Sequence, residues 1–175
     1  MKQRYEFILA GSGGQGLVLA GRVLGEAAIL EGRNVVQTQS ALGDSRRGGL
    51  SVSEVIIDTE EIVFQQVQQP DLILVLSERA IAKYAQAAAG VPLLYDSSSM
   101  RLPEKEWLYP VPFAELVAKI NPAAANLAAL GLIVRRTGVV ARESLEKAVK
   151  QRFSGDAARA NLQAVTAGWE APEVS

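Results

Sequence analysis

A glycine-rich hexapeptide near the start of the chain is the segment best suited to hold a ligand. It consists of Gly11, Ser12, Gly13, Gly14, Gln15 and Gly16. A short apolar run precedes it and helical spacing follows it, so the glycines form a G-x-G-x-x-G motif between a predicted strand and a predicted helix. Glycines allow close backbone approach, and the N–H groups at a helix N-terminus attract a phosphate or a carboxylate. The alternative interpretation is that the glycines only permit a closely packed turn and bind nothing.

The acidic residue that binds the ribose in simple NAD sites is missing. In such sites an Asp or Glu follows the glycine motif by about 20 residues, at the end of the second strand. That stretch reads Val35-Val36-Gln37-Thr38-Gln39 here. The sequence therefore does not favour a simple NAD site.

A second polar loop, residues 43–51, follows the second predicted strand and contains Asp44, Arg46 and Arg47. Sites in α/β sheets lie outside the carboxyl ends of the strands, so this loop could share a crevice with the hexapeptide. Arginines there would suit a carboxylate or a phosphate. The alternative is a solvated turn whose arginines pair with Asp44 or contact another subunit.

A third stretch, residues 121–131, combines small residues with two asparagines. We predict that Asn121 caps a helix and that Asn126 bonds a backbone carbonyl in a neighbouring loop. The small residues would permit close approach of another helix. This is a structural role and not a catalytic one.

The chain contains no cysteine and no histidine. Cysteine-bound iron–sulfur clusters, Cys/His zinc sites and Ser-His-Asp or Cys-His catalysis are therefore excluded within this chain. Magnesium bound by carboxylates remains allowed, but no tight group of Asp and Glu is evident. Redox chemistry would need an organic cofactor or residues of another chain.

The pattern of apolar runs predicts an α/β fold that ends in helices only. We predict strands over residues 5–10, 34–38, 52–57, 72–76, 91–95 and 108–111. We predict helices over residues 14–31, 77–89, 114–120, 122–135, 142–153 and 156–168. The first strand, helix and second strand are spaced as a βαβ unit, so the expected architecture is a Rossmann-like three-layer fold with a mostly parallel sheet and a helical C-terminal part.

The length of the chain indicates one domain, and its charge gives no sign of a nucleic-acid or membrane partner. The expected domain covers residues 1–170, and residues 171–175 are expected to form a loose tail. The formal net charge of -1 predicts neither nucleic-acid nor membrane binding. The apolar run of residues 7–10 is too short for a signal peptide or a membrane span, so we expect a cytoplasmic protein.

Four segments together resemble the gamma subunit of 2-oxoacid:ferredoxin oxidoreductases. They are Gly11–Gly16, Arg47-Gly48-Gly49, Asn126–Gly131 and Asn161–Gly168. The resemblance implies a subunit that acts with alpha and beta, and in some complexes delta, chains in the CoA-dependent oxidative decarboxylation of a 2-oxoacid, with electrons passed to ferredoxin. It implies that thiamine diphosphate, magnesium and iron–sulfur clusters lie in those partner chains. The oxoacid stays open.

The resemblance also implies which residues of this chain would face a cofactor. Coenzyme A is the cofactor in question, and the expected contacts are Gly11, Ser12, Gly13, Gly14, Gln15, Gly16, Arg47, Gly48 and Gly49. No catalytic residue and no metal ligand is assigned to this chain, and a homodimer is allowed. The alternatives are a standalone Rossmann-type nucleotide-binding module or NAD(P)/FAD oxidoreductase, and an interaction scaffold without a ligand.

Overall fold

A computed structural model describes residues 2–42, 48–85 and 90–172 of the chain. Its strands are β1 (Arg4–Ser12), β2 (Asn34–Leu42), β3 (Leu50–Asp58), β4 (Leu72–Val75), β5 (Leu93–Asp96) and β6 (Leu108–Val111). Its helices are α1 (Leu17–Leu30), α2 (Glu78–Tyr84), α3 (Phe113–Val117), α4 (Ala125–Thr137), α5 (Arg142–Arg152) and α6 (Gly155–Trp169), with a 3-10 turn at Pro122–Ala124. No helix of the described residues is long and apolar enough to cross a membrane.

The strands form one mixed sheet in the order β2-β3-β1-β4-β5-β6. β1, β4, β5 and β6 pair in parallel, whereas β3 pairs antiparallel with both β1 and β2. The predicted α/β class and mostly parallel sheet are confirmed. The predicted βαβ unit needs a correction, because β1 and β2 run in the same direction but β3 lies between them. A short connection, residues 43–49, joins β2 to β3, and such a connection permits only antiparallel pairing.

Helices and loops cover both faces of the sheet, as a three-layer fold requires. One face packs against α1 and the C-terminal helices through a continuous apolar core that includes Phe7, Leu74 and Leu130. The other face packs against α2, with Ile73 and Tyr84 in a second apolar cluster. The predicted helical C-terminal part therefore shares its core with the sheet.

The predicted boundaries of two helices differ from the observed ones, and one of the differences has a local cause. The first helix was predicted from Gly14 but begins at Leu17, because Gly14 and Gly16 have φ of 91° and 71°, outside the right-handed helical region. The helix predicted to end near Ala89 is α2, which ends at Tyr84, and residues 86–89 lie outside the described part.

The structure shows two side-chain caps, of which only the one at Asn121 was predicted, and it describes residues 171 and 172 of the predicted tail. The side chain of Ser77 caps α2, and the Asn121 Oδ1 accepts a hydrogen bond from the Ala123 N–H at 3.1 Å, as predicted for a helix cap. At the chain end, Ala171 is buried and its carbonyl accepts a hydrogen bond from Arg135 at 2.8 Å. Residues 173–175 lie outside the described part.

A buried carboxylate in β1 holds the connection between β3 and β4. Glu6 is only 5% exposed, and its carboxylate accepts hydrogen bonds from the Gln68 N–H at 2.6 Å, the Gln69 N–H at 2.9 Å and the Arg4 Nε at 2.7 Å. Burial raises the pKa of the Glu6 carboxyl, but the hydrogen bonds from Gln69, Arg4 and Gln68 outweigh it, so its pKa lies below the ordinary value.

Replacing Glu6 by glutamine is expected to lower the free energy of unfolding by about 2 kcal/mol at pH 7, because charge-assisted hydrogen bonds are lost. A carboxyl with a lowered native pKa stabilises the fold above its unfolded pKa and loses that contribution as the pH falls through the native pKa. The difference between the two proteins should therefore shrink as the pH drops below about 4. Urea unfolding at several pH values measures this. The exposed Glu104→Gln serves as control, and an equal loss in both variants would contradict the role of Glu6.

Candidate functional site at the carboxyl edge of the sheet

The predicted glycine hexapeptide forms the turn between β1 and α1. Gly11 and Ser12 are the last residues of β1, and Gly16 precedes α1 in a left-handed conformation. Because positive φ is unfavourable for residues with a Cβ, Gly14 and Gly16 are the two positions where this turn requires glycine. The turn therefore lies outside the carboxyl end of β1, where α/β proteins bind ligands.

The side chain of Gln15 points into the protein and not towards a ligand. Its Oε1 accepts a hydrogen bond from the Ser12 N–H at 2.7 Å, and its Nε2 donates to the Leu76 carbonyl at 2.8 Å. Leu76 directly follows β4, so the amide ties the turn to the next parallel strand. A Cβ on Gly11 would overlap the Gln15 Oε1 and lie 3.0 Å from the Leu17 Cδ2. Gly11 and Gln15 thus have a structural role in shaping the turn.

A backbone hydrogen bond brings the two predicted glycine loops together. The Gly13 N–H donates to the Gly49 carbonyl at 2.8 Å. The predicted proximity of these loops is confirmed at this contact, and Gly48 beside it has φ of 79°. Arg47, the charged residue predicted for this loop, lies outside the described residues.

Asn126, in α4, also supports the turn. It is 3% exposed, and its Nδ2 donates to the Gly16 carbonyl at 2.9 Å while its Oδ1 accepts from the Leu127 N–H at 2.9 Å. The predicted bond from Asn126 to a backbone carbonyl in a neighbouring loop is confirmed. A Cβ on Gly16 would lie 2.5 Å from the Asn126 Nδ2, so the contact also requires glycine at position 16.

The start of α1 has the electrostatic character of an anion site. No side chain caps it, and no acidic residue occurs in its first turn. The first hydrogen bond of the helix runs from the Ala20 N–H to the Gly16 carbonyl, so the preceding amides have no acceptor within the helix. These amides and the positive end of the helix dipole favour a negatively charged group.

Gln37 lies in the stretch where simple NAD sites have the acidic residue that binds the ribose, and its side chain has a packing role instead. The Gln37 Nε2 donates to the Val18 carbonyl of α1 at 2.8 Å and to the Ser53 Oγ of β3 at 2.9 Å. The first bond holds α1 against β2, and the second joins β2 to β3. Because β3 also separates β1 from β2, the geometry of an ordinary NAD site is not formed.

Sequence reasoning missed Asp96 at the same edge of the sheet. This residue ends β5 and is 6% exposed, and its Oδ1 accepts hydrogen bonds from the Ser98 N–H at 3.1 Å and the Ala114 N–H at 3.4 Å. An aspartate directly after the apolar run of residues 91–95 was the available signal. Within the described ranges, no group of three Asp, Glu, Cys or His side chains could hold a metal ion.

Comparisons with known proteins agree on one family. The model of the pyruvate ferredoxin/flavodoxin oxidoreductase family matches residues 6–171. The 2-oxoglutarate synthase subunit KorC of Methanocaldococcus jannaschii is 39% identical over 97% of this chain and 95% of the relative. The common gamma subunit of the pyruvate/ketoisovalerate oxidoreductases of Pyrococcus furiosus is 31% identical over 94% of this chain and 95% of the relative.

A solved structure shows the same fold at similar sequence identity. It is the gamma subunit of a keto/oxoacid ferredoxin oxidoreductase from Geobacter sulfurreducens, which is 37% identical, with a TM-score of 0.81 over 95% of this chain and 96% of that one. Sequence and fold thus agree along nearly the whole length of the chain. The chain belongs to the pyruvate ferredoxin/flavodoxin oxidoreductase family, as a gamma-type subunit of a 2-oxoacid:ferredoxin oxidoreductase.

Proposed function

We propose that the chain is the gamma subunit of a complex that oxidises 2-oxoglutarate. In this reaction the oxoacid loses CO₂ and its acyl group is transferred to coenzyme A. The two electrons released are passed one at a time to ferredoxin. The observation that carries the proposal is the full-length similarity to a 2-oxoglutarate synthase subunit, which exceeds the similarity to the pyruvate/ketoisovalerate subunit.

The chain contributes no redox or carbanion chemistry of its own in this proposal. It contains no cysteine and no histidine, so iron–sulfur clusters cannot be held by its own thiolates. Thiamine diphosphate, magnesium and the clusters would lie in alpha, beta or delta partner chains. The gamma subunit then acts by positioning neighbouring groups and by binding part of a cofactor.

The carboxyl edge of the sheet is the part of this chain that we assign to coenzyme A. The amides at the start of α1 and the exposed turn at Gly14 suit a phosphate group, because they combine accessible backbone with a positive dipole end. The Gly13 N–H is not among them, since it already donates to the Gly49 carbonyl. The contact would use backbone N–H groups and not the Gln15 side chain, which is already hydrogen-bonded at both amide atoms. Arg47, Gly48 and Gly49 would supply the other side of the same site.

The assembled complex should prefer 2-oxoglutarate. A tagged copy of the chain, expressed in its own host, is expected to co-purify with larger subunits that carry thiamine diphosphate and clusters. Reduction of a viologen dye by that complex should require coenzyme A and should show kcat/KM at least about tenfold higher with 2-oxoglutarate than with pyruvate or 2-ketoisovalerate.

The isolated chain is the matched control for that assay. It should reduce neither dye nor nicotinamide with any of the three oxoacids. A preference for pyruvate would overturn the assignment of the substrate alone, whereas oxidation of a substrate by the isolated chain with NAD or a flavin would overturn the subunit role as well.

A further inference from the structure

Strand β2 forms a long and regular edge of the sheet. Its nine residues, Asn34–Leu42, pair one to one with β3 from Asn34 opposite Asp58 to Leu42 opposite Leu50. The other side of β2 pairs with no strand among residues 2–42, 48–85 and 90–172. A row of backbone N–H and C=O groups therefore remains available for another strand.

This edge lacks the features that normally prevent strands from pairing between molecules. Such features are a short strand, proline, charged side chains or a bulge. The opposite edge, β6, has two of them, because it is four residues long and contains Pro110. In contrast, β2 contains neither proline nor a charged residue, and its register with β3 is uninterrupted.

Exposed apolar side chains flank the amino end of this edge. Ile29 and Leu30, in the last turn of α1, are 60% and 37% exposed, and Val63 and Phe64, in the connection after β3, are 86% and 52% exposed. The Asn34 Nδ2 donates to the Glu60 carbonyl at 3.1 Å, which places the start of that connection at the first residue of β2. Exposed apolar residues next to an open edge add apolar area that a paired chain could cover.

We propose that β2 pairs antiparallel with β2 of a second copy of this chain around a two-fold axis near Thr38, the central residue of the strand. The two sheets would then form one continuous sheet with an isologous interface. In this register Thr38 of one copy lies opposite Thr38 of the other and Gln37 lies opposite Gln39, so only uncharged residues face one another around the axis. The exposed apolar residues at each end of the paired strands would lie beside the new interface.

The charge pattern favours a second copy over an unrelated chain. A two-fold axis places like residues opposite one another, and like charges in that position are destabilising. A strand without any charge avoids this cost, although charged residues make up 21% of the chain. An edge built for a different chain would gain specificity and orientation from complementary charges, and β2 offers none.

Two measurements test the proposal: the mass of the full chain in solution, and the oligomeric state of variants that carry like or opposite charges on the two paired strands. Sedimentation of the wild-type chain at about 50 μM, well above the dissociation constant typical of specific dimers, should give twice the chain mass of 18.7 kDa. The variant T38K/S40K and the variant T38E/S40E should each be monomeric, because like charges meet at the interface. An equimolar mixture of the two variants should restore the dimer.

The control places two lysines away from the edge, at the exposed Gln151 and Ala157 in α5 and α6. Gln151→Lys/Ala157→Lys should remain dimeric. Thermal unfolding checks that every variant folds. Thr38→Lys and Thr38→Glu alone, at the position that meets its own copy on the axis, replace the double variants should those fail to fold.

A monomeric wild-type chain, or a dimer that survives both charged variants, would overturn the proposal. Hydrogen exchange distinguishes pairing with a second copy of the chain from binding of a partner subunit at this edge. Protection of the β2 amides that arises only after partner subunits are added would assign the edge to one of those subunits and would also overturn the pairing of two copies.

Discussion

Replacing Gly168 by alanine is expected to destabilise the fold more than any other single methyl group added to this chain. A Cβ at this position in α6 would lie 2.5 Å from the Ala128 carbonyl carbon and 2.8 Å from the Ala128 Cα, in the backbone of α4. A backbone cannot rotate away as a side chain can, so the two helices would have to separate. We expect the free energy of unfolding to fall by about 3 kcal/mol or more, measured by urea unfolding.

The reason for this large effect is a close crossing of two buried helices. The contact is reciprocal, because a Cβ on Gly131 of α4 would overlap the Val165 carbonyl and lie 3.0 Å from the Trp169 N. Arg135 reinforces the crossing through its hydrogen bonds to the carbonyls of Trp169 and Ala171. The crossing joins the C-terminal helix to the core that supports the sheet, so its loss affects the whole domain.

Gly25→Ala in α1 is the matched control for this substitution. Its Cβ would meet only a methyl group of Val35, at 3.0 Å, and that side chain can move by the few tenths of an ångström required. Alanine also favours the helix over glycine by about 1 kcal/mol, so the net change should lie within about 1 kcal/mol of zero. Equal effects of Gly168→Ala and Gly25→Ala would show that the crossing tolerates extra volume.

The elements were predictable from the sequence because they depend on local apolar patterns. Strand β4 is a short continuous apolar run, β5 is such a run ended by Asp96, and the range predicted for β6, residues 108–111, is the observed one. The order of the strands was not predictable in the same way. The pattern of β3 does not show whether it pairs with β1, with β2 or with both, and its insertion between them depends on tertiary packing.

The glycine turn was predictable in type, and its contacts were not. Spacing alone located the turn before α1 and the second loop, and the Gly13–Gly49 hydrogen bond joins them. The role of Gln15 could not be deduced, since its acceptor, Leu76, lies 61 residues further along the chain. A polar residue in a glycine motif looks the same in sequence whether it faces a ligand or the protein interior.

The contact between Gly16 and Asn126 is expected to give a strong coupling between two substitutions. Gly16→Ala should lower the free energy of unfolding by about 3 kcal/mol, because the Cβ would lie 2.5 Å from the Asn126 Nδ2 and φ is 71°. Asn126→Ala should cost about 2 kcal/mol, because the Gly16 carbonyl and the Leu127 N–H lose their partner. In the double variant the clash is absent, so the combined loss should be at least about 1 kcal/mol smaller than the sum.

Gly14→Ala is the matched control, because Gly14 has φ of 91° and no atom within 4 Å of an added Cβ. It should cost about 1 kcal/mol from backbone strain alone and should add to Asn126→Ala without coupling, whereas additive losses for the Gly16 pair would contradict the proposed contact.

Gly16→Ala also tests the proposed contact to coenzyme A within the assembled complex. Since Gly16 shapes the start of α1, Gly16→Ala should raise the KM for coenzyme A several-fold and leave the KM for the 2-oxoacid unchanged. An unchanged KM for coenzyme A in a complex that still assembles would mean that the turn only positions the partner chains.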